Sequence, residues 1–129
     1  MKTEVGFSLT NKTRAKTPRA PFADIKNAVL GANYELSTAL LTPSEMCKAS
    51  IESKHGDTPA NVLSFPFSKT SGEILLCPAT IRTQAKLHGT TPDIFLVRLF
   101  IHGLCHLEGL VHGGIMEGEE SRIAKRFGF

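Results

Sequence analysis

The longest apolar helical segment of the chain, together with the turn that follows it, carries three of the five histidines. Thr91-Pro92-Asp93 is a helix-start signal, and apolar residues follow from Ile94 to about Leu110. His102 and His106 are four residues apart, so on a helix they lie about 40° apart and one turn apart along the axis. The chain must therefore fold around a largely apolar helix that presents two imidazoles on one face.

The third histidine, His112, follows His106 by six residues. A continuing helix would turn it about 240° away, but Gly109 lies between them, and glycine lets a chain leave a helix in the left-handed conformation. His112 can then return towards the other two. Three imidazoles reach one ion at about 2.0–2.1 Å and leave a position for water. The pattern predicts one Zn²⁺ per chain, with nickel, cobalt or copper compatible with the same donors.

The spacing H-x3-H-x5-H, with its glycine, equals that of the long zinc-protease motif. In those proteases a glutamate after the first histidine is the general base. Gly103 occupies that position here, and Glu108 should point away from the metal face. A peptidase would therefore lack its base, and a metal-bound water or hydroxide would itself be the nucleophile. Cys105 is expected to pack in the core rather than to bind the metal.

The remaining segments predict alternating strands and helices in a single domain over residues 1–129. The predicted strands are a first one with Val5, Phe7 and Leu9 on one face, then Tyr34–Leu41, and a hairpin formed by Asn61–Phe67 and Glu73–Cys77. The other predicted helices are Phe22–Leu30, one after Thr42-Pro43, Pro78 to about His88, and Met116–Arg126. The class is α+β: about four strands in a small mixed sheet and about five helices, with the metal site on the long C-terminal helix and the turn after it.

Composition narrows the class of protein. With 129 residues, 41% of them hydrophobic, the chain has the mix of one soluble domain and excludes wholesale disorder. No apolar run approaches the roughly 18 residues of a membrane span, and no signal peptide is evident. Three cysteines without a CxxC pair favour a reducing, cytoplasmic location. The net charge of +3 is mild, but bases concentrate in residues 1–20, including Arg14 and Lys16, and in residues 121–129.

Three sequence blocks together resemble the YbeY family, the bacterial rRNA maturation factors and endoribonucleases. The blocks are HGxxHLxGxxH, the run TPANVLSFPF over residues 58–67, and Gly72-Glu73-Ile74. They fall in the family's order and span about residues 58–120, and Met116 and Glu120 keep its four-residue Met-to-Glu separation. The chain departs from the family at Leu110, at Val111, where the family has Asp, and at Lys54, where it has Arg.

The resemblance implies a zinc-dependent, single-strand-specific endoribonuclease that matures the 3′ end of the small-subunit rRNA and serves ribosome biogenesis. Its zinc ligands would be His102, His106 and His112, and Lys54 would be a catalytic residue that holds the phosphate. Lys54 keeps the charge of the family arginine but loses its bidentate fork. The implied partners are single-stranded or ribosomal RNA and the small ribosomal subunit, with no membrane.

Two features outside the histidine motif suggest further RNA contacts. Ser64 lies on the strand face opposite to Leu63 and Phe65 and offers a hydroxyl, and Arg14 and Lys16 offer positive charge. Phe65 and Phe67 share the other face and are expected in the core.

Two alternatives stay open. A metal-dependent hydrolase of another substrate, peptides included, is opposed by the missing glutamate after His102. A ribosome-associated assembly factor with a structural zinc is opposed by three ligands in place of four. The sequence does not determine the cleavage site or the oligomeric state.

Overall fold

A computed structural model describes residues 2–53, 60–110 and 113–129, with side chains from Val5 onward. In this part of the chain a five-stranded sheet has the order β1-β2-β3-β5-β4. The strands are β1 Lys2–Glu4, β2 Phe7–Asn11, β3 Glu35–Leu40, β4 Val62–Ser68 and β5 Ser71–Leu76. The helices are α1 Phe22–Leu30, α2 Pro43–Glu52, α3 Pro78–Leu87, α4 Pro92–Leu107 and α5 Gly114–Phe127.

The mixed sheet confirms the α+β class. Strands β2, β3 and β5 run parallel, whereas β1 with β2 and β4 with β5 are antiparallel pairs. All four expected strands are present, and the short β1 pairs with β2 as an additional edge. Val5 is 96% exposed in the turn between β1 and β2, because Gly6 adopts a φ of 75° there and reverses the chain. The predicted inward face of Phe7 and Leu9 is correct, but Val5 does not share it.

Each face of the sheet has its own apolar cluster. On one face, strand residues such as Leu36 and Ile74 pack with Phe100 and Leu104 of α4. On the other face, Leu63 and Leu75 pack with Met46 of α2, and Phe65 lies partly buried beside them; Phe67 is 64% exposed and does not join a core. Because side chains alternate along β4, Ser64 faces α4 while Leu63 and Phe65 face α2. Strand β4 therefore lies directly beside the histidine-bearing helix.

The helix starts follow the local signals. Thr42 and Glu45 form a capping box at the start of α2, and the Thr91 hydroxyl accepts a hydrogen bond from the Ile94 amide at the start of α4. Within the described residues no helix is long and apolar enough to cross a membrane.

Candidate metal centre

His102 and His106 project from the same face of α4, as their spacing predicts. Their Nε2 atoms are 3.1 Å apart, with ring planes at 89°. Two nitrogen ligands of one tetrahedral zinc ion, each at about 2.0–2.1 Å, lie about 3.3 Å apart. The two imidazoles therefore fit a shared ion. His112 lies outside the described residues, and among those described no three His, Cys, Asp or Glu side chains form a metal-binding group.

The turn after these two histidines has the left-handed glycine that the sequence predicts. Gly109 has a φ of 99°, which confirms its predicted left-handed conformation. Its N–H donates to the His106 carbonyl at 3.0 Å, and the Leu110 N–H donates to the Cys105 carbonyl at 3.1 Å. This pair of bonds is a Schellman motif. Helix α4 accordingly ends at Leu107 rather than near Leu110.

A carboxylate from α5 contacts the first histidine on its other nitrogen. Glu120 Oε1 lies 2.5 Å from His102 Nδ1, and both side chains are about a quarter exposed, at 25% and 26%. When His102 Nδ1–H donates to this carboxylate, Nε2 keeps its lone pair for a metal. Glu120 has no role predicted from the sequence. The available signal was its four-residue separation from Met116, which is fully buried on the same face of α5.

The histidines open onto a cleft of about 540 Å³ between β4 and α4. Ser64 also lines this cleft, and its hydroxyl donates to the Gly103 carbonyl at 3.3 Å. A Cβ on Gly103 would lie 2.9 Å from Ser64 Oγ and 3.1 Å from Ile74 Cδ1. Helix and sheet therefore approach so closely beside His102 that a side chain at position 103 has no room.

The sequence of this chain is similar to those of a known protein family. The family model described as Endoribonuclease YbeY matches residues 8–128. The chain belongs to the YbeY family. A protein from Rubrobacter xylanophilus named Endoribonuclease YbeY is 33% identical over 71% of this chain and 64% of its own length. Its namesake from Sulfurimonas denitrificans is 33% identical over 74% of this chain and 73% of its own.

The fold is also that of a solved structure. The solution structure of TM1509 from Thermotoga maritima superposes with a TM-score of 0.69 at 17% identity, over 94% of this chain and 88% of that one. At this identity the likeness concerns the fold.

Of the remaining predicted site residues of this YbeY-family chain, two lie away from the histidine cleft and one lies outside the described residues. Lys54 lies outside the described residues. Arg14 and Lys16 are exposed and line two grooves that do not contain the histidines. Cys105 is fully buried in the core, and burial, then the carboxylates of Glu120 and Glu108, raise the pKa of its thiol to about 12. Its placement agrees with a packing role.

Proposed function

We propose that this YbeY-family chain is a zinc-dependent, single-strand-specific endoribonuclease. The observation that carries the proposal is the pair of imidazole nitrogens 3.1 Å apart, held by Glu120 in an open cleft. Its proposed task is ribosomal RNA processing at the 3′ end of the small-subunit rRNA, as part of ribosome biogenesis. It would act in the cytoplasm as a single domain spanning residues 1–129.

The zinc ion, one per chain, would be held by His102, His106 and His112. When bound, it would supply an activated water and would neutralise charge on a phosphoryl oxygen. Glu120 would hold the His102 ring in the tautomer whose Nε2 carries a lone pair for the metal. Ser64 ties the cleft wall to the helix through the Gly103 carbonyl.

The proposed RNA contacts use side chains of three kinds. Lys54 would hold the scissile phosphate by charge. The exposed side chains of Arg14 and Lys16 would attract the RNA backbone. The Ser64 hydroxyl, which lines the cleft, would contact the substrate there.

The geometry weighs against a peptidase. At position 103, where zinc proteases carry their glutamate, the backbone packs against Ser64 and Ile74. A carboxylate base has no space there. The assembly-factor alternative with a structural zinc is disfavoured by an open cleft beside the histidines, since structural sites are closed by four protein ligands.

Elemental analysis combined with RNA cleavage tests the proposal. Wild-type protein should contain one zinc, and His102→Ala, His106→Ala and His112→Ala should each lose most of it. His88→Ala is the matched control, because His88 stacks against Phe95, with ring centroids 5.0 Å apart, away from the cleft. Zinc-loaded wild-type protein should cut a single-stranded RNA that ends in the small-subunit 3′ sequence under single-turnover conditions. Unchanged metal content in all three variants would contradict the zinc site, and a zinc-loaded protein that cuts no RNA would favour the assembly factor.

Lys54 provides a test of phosphate positioning. Lys54→Ala should slow cleavage without loss of zinc, because it removes a charge but no ligand. Lys54→Arg should speed cleavage, because the guanidinium restores a bidentate fork for the phosphate. The measurement is the single-turnover rate of each variant at equal zinc content. Identical rates would show that Lys54 does not contact the scissile phosphate.

A further inference from the structure

A positively charged surface lies along one edge of the sheet, outside the histidine cleft. Two adjoining grooves of about 370 and 250 Å³ share Pro78 and Arg82. Lys12 and Arg14 line the first groove, and Lys16 lines the second. We call the surface formed by Lys12, Arg14, Lys16 and Arg82 the basic groove.

Among the described residues, the bases of the basic groove form no ion pairs. All four side chains are exposed. In the part of the chain that the structure describes, the ion pairs join His102 to Glu120 and Arg122 to Glu119, and neither involves a base of the groove. Asp93 is the one acidic side chain among the residues that line the two grooves. Hydrogen bonds from Thr42 lower the pKa of the Glu45 carboxyl, and the nearby charge of Lys12 lowers it further, so Glu45 offsets part of the positive charge at one end of the groove.

One backbone and one side-chain hydrogen bond connect the basic groove to the histidine cleft. Cys77, which precedes Pro78, donates its N–H to the carbonyl of Asn61 at 3.0 Å. Asn61 lines the cleft, and its side-chain amide donates to Gln84 on α3 at 2.7 Å. Arg82 lies on the same helix. Groove and cleft therefore meet where β4 begins and β5 ends.

The distance between them follows from the strand order. Lys12 comes directly after β2, and Asn61 directly before β4, at the same edge of the sheet. Three strand spacings of about 4.8 Å separate them, so their backbones are roughly 14 Å apart. An RNA strand with one phosphate at the histidines would bring phosphates a few nucleotides away over the basic groove.

We propose that the basic groove binds the backbone of single-stranded RNA that leads away from the histidine cleft, with Lys12 and Arg82 as phosphate contacts. This inference rests on the proposed endoribonuclease function and extends its substrate contacts beyond Arg14 and Lys16. The residues between the bases are largely proline, alanine and other apolar residues, which offer few groups to read base edges. Binding there should therefore follow charge and not sequence.

The test compares two charge-matched double variants of the full chain, loaded with zinc. Lys12→Ala with Arg82→Ala removes two bases of the groove, and Lys69→Ala with Arg126→Ala removes one lysine and one arginine outside it. All four side chains are exposed, so both variants should fold, which circular dichroism verifies. Binding of a labelled single-stranded RNA of 20 or so nucleotides is followed by fluorescence anisotropy across salt concentrations.

The groove variant should bind about tenfold more weakly than the matched control, and its salt slope should fall by about 1.4, for two lost phosphate contacts at about 0.7 each. Equal affinity of the two variants would overturn the proposal, as would a wild-type protein that binds no RNA. Unchanged RNA binding with lost binding to purified small ribosomal subunits would overturn it in favour of an acidic protein partner. Groove-dependent binding without cleavage would support the groove while refuting the endoribonuclease.

Discussion

His102 is held from two directions. Glu120 contacts the Nδ1 atom of its imidazole ring. The next residue, Gly103, has no side chain and so lets the helix backbone pack closely against Ser64 and Ile74. The first contact sets the direction of the imidazole ring, and the second sets the distance between helix and sheet. Both are single-residue features, so each is open to a single substitution.

Glu120→Gln should weaken zinc binding by about 10–100-fold, because the amide keeps the shape of the side chain but loses the charge that orients His102. Competition against a chromophoric chelator measures the affinity. Glu119→Gln is the control, since Glu119 is the neighbouring residue and pairs with Arg122 at 2.7 Å instead. Equal zinc affinities for the two variants would show that Glu120 does not position His102.

Gly103→Ala should lower the free energy of unfolding by about 1–3 kcal/mol, because the added methyl group overpacks the contact with β4 and β5. In a helix interior without such a contact, glycine to alanine stabilises the protein by about 1 kcal/mol. The sign of the change in unfolding free energy therefore shows whether helix and sheet approach as closely as the structure has them. Urea unfolding measures it. The cost should shrink when Ser64→Ala is combined with it, because Ser64 Oγ is the nearest atom to the new methyl group. A stabilised Gly103→Ala protein would contradict the close approach.

At the scale of elements, Gly109 determines where α4 ends. The Schellman motif at Gly109 ends the helix at Leu107, one residue after His106, and turns the chain. Among the described residues, no heavy atom other than those of its chain neighbours lies within 4 Å of a Cβ built on Gly109, so its positive φ is what favours glycine there.

Gly109→Ala should therefore destabilise the protein by about 1–2 kcal/mol through the left-handed backbone, and should also weaken zinc binding. Gly118→Ala is the matched control in α5. A Cβ built on Gly118 likewise contacts no other described part of the protein, but the backbone there is helical. That change should stabilise by about 1 kcal/mol. The two variants are compared by thermal unfolding. Equal shifts in Tm would show that the turn at position 109 does not require a positive φ.

At the scale of the whole molecule, the apolar clusters lie apart from the proposed metal centre. One joins the sheet to α1, α3, α4 and α5, and the other joins it to α2. The two histidines are partly exposed in a cleft at the rim of this core. A core of this size does not depend on a metal to form.

Mild chelation should consequently abolish RNA cleavage while far-UV circular dichroism stays near that of the zinc-loaded protein. The melting temperature should fall only by the contribution of ligand binding. Re-addition of zinc should restore cleavage. Global unfolding on chelation would identify the zinc as structural and support the assembly-factor alternative.

Local chemistry made much of this protein predictable from sequence. The caps at Thr42 and Thr91, the left-handed Gly109 and the shared face of His102 and His106 depend on residues within one or two turns of each other. Such features form wherever the segment is placed. Local apolar patterns likewise predicted the α+β class, the five helices and four of the five strands, and three short sequence blocks carried the resemblance that the family match confirms.

Tertiary packing decided the contacts that join distant segments. Glu120 reaches His102 across 18 residues and two helices, and Ser64 reaches Gly103 across 39. Strand order brings Lys12 and Asn61 to one edge, although 49 positions separate them in the sequence. No periodicity or spacing in the sequence predicts these pairings, because each depends on how the apolar faces of separate helices and strands pack together. The hydrophobic effect that drives this packing is non-directional, so the sequence of one element does not specify which distant element it will contact.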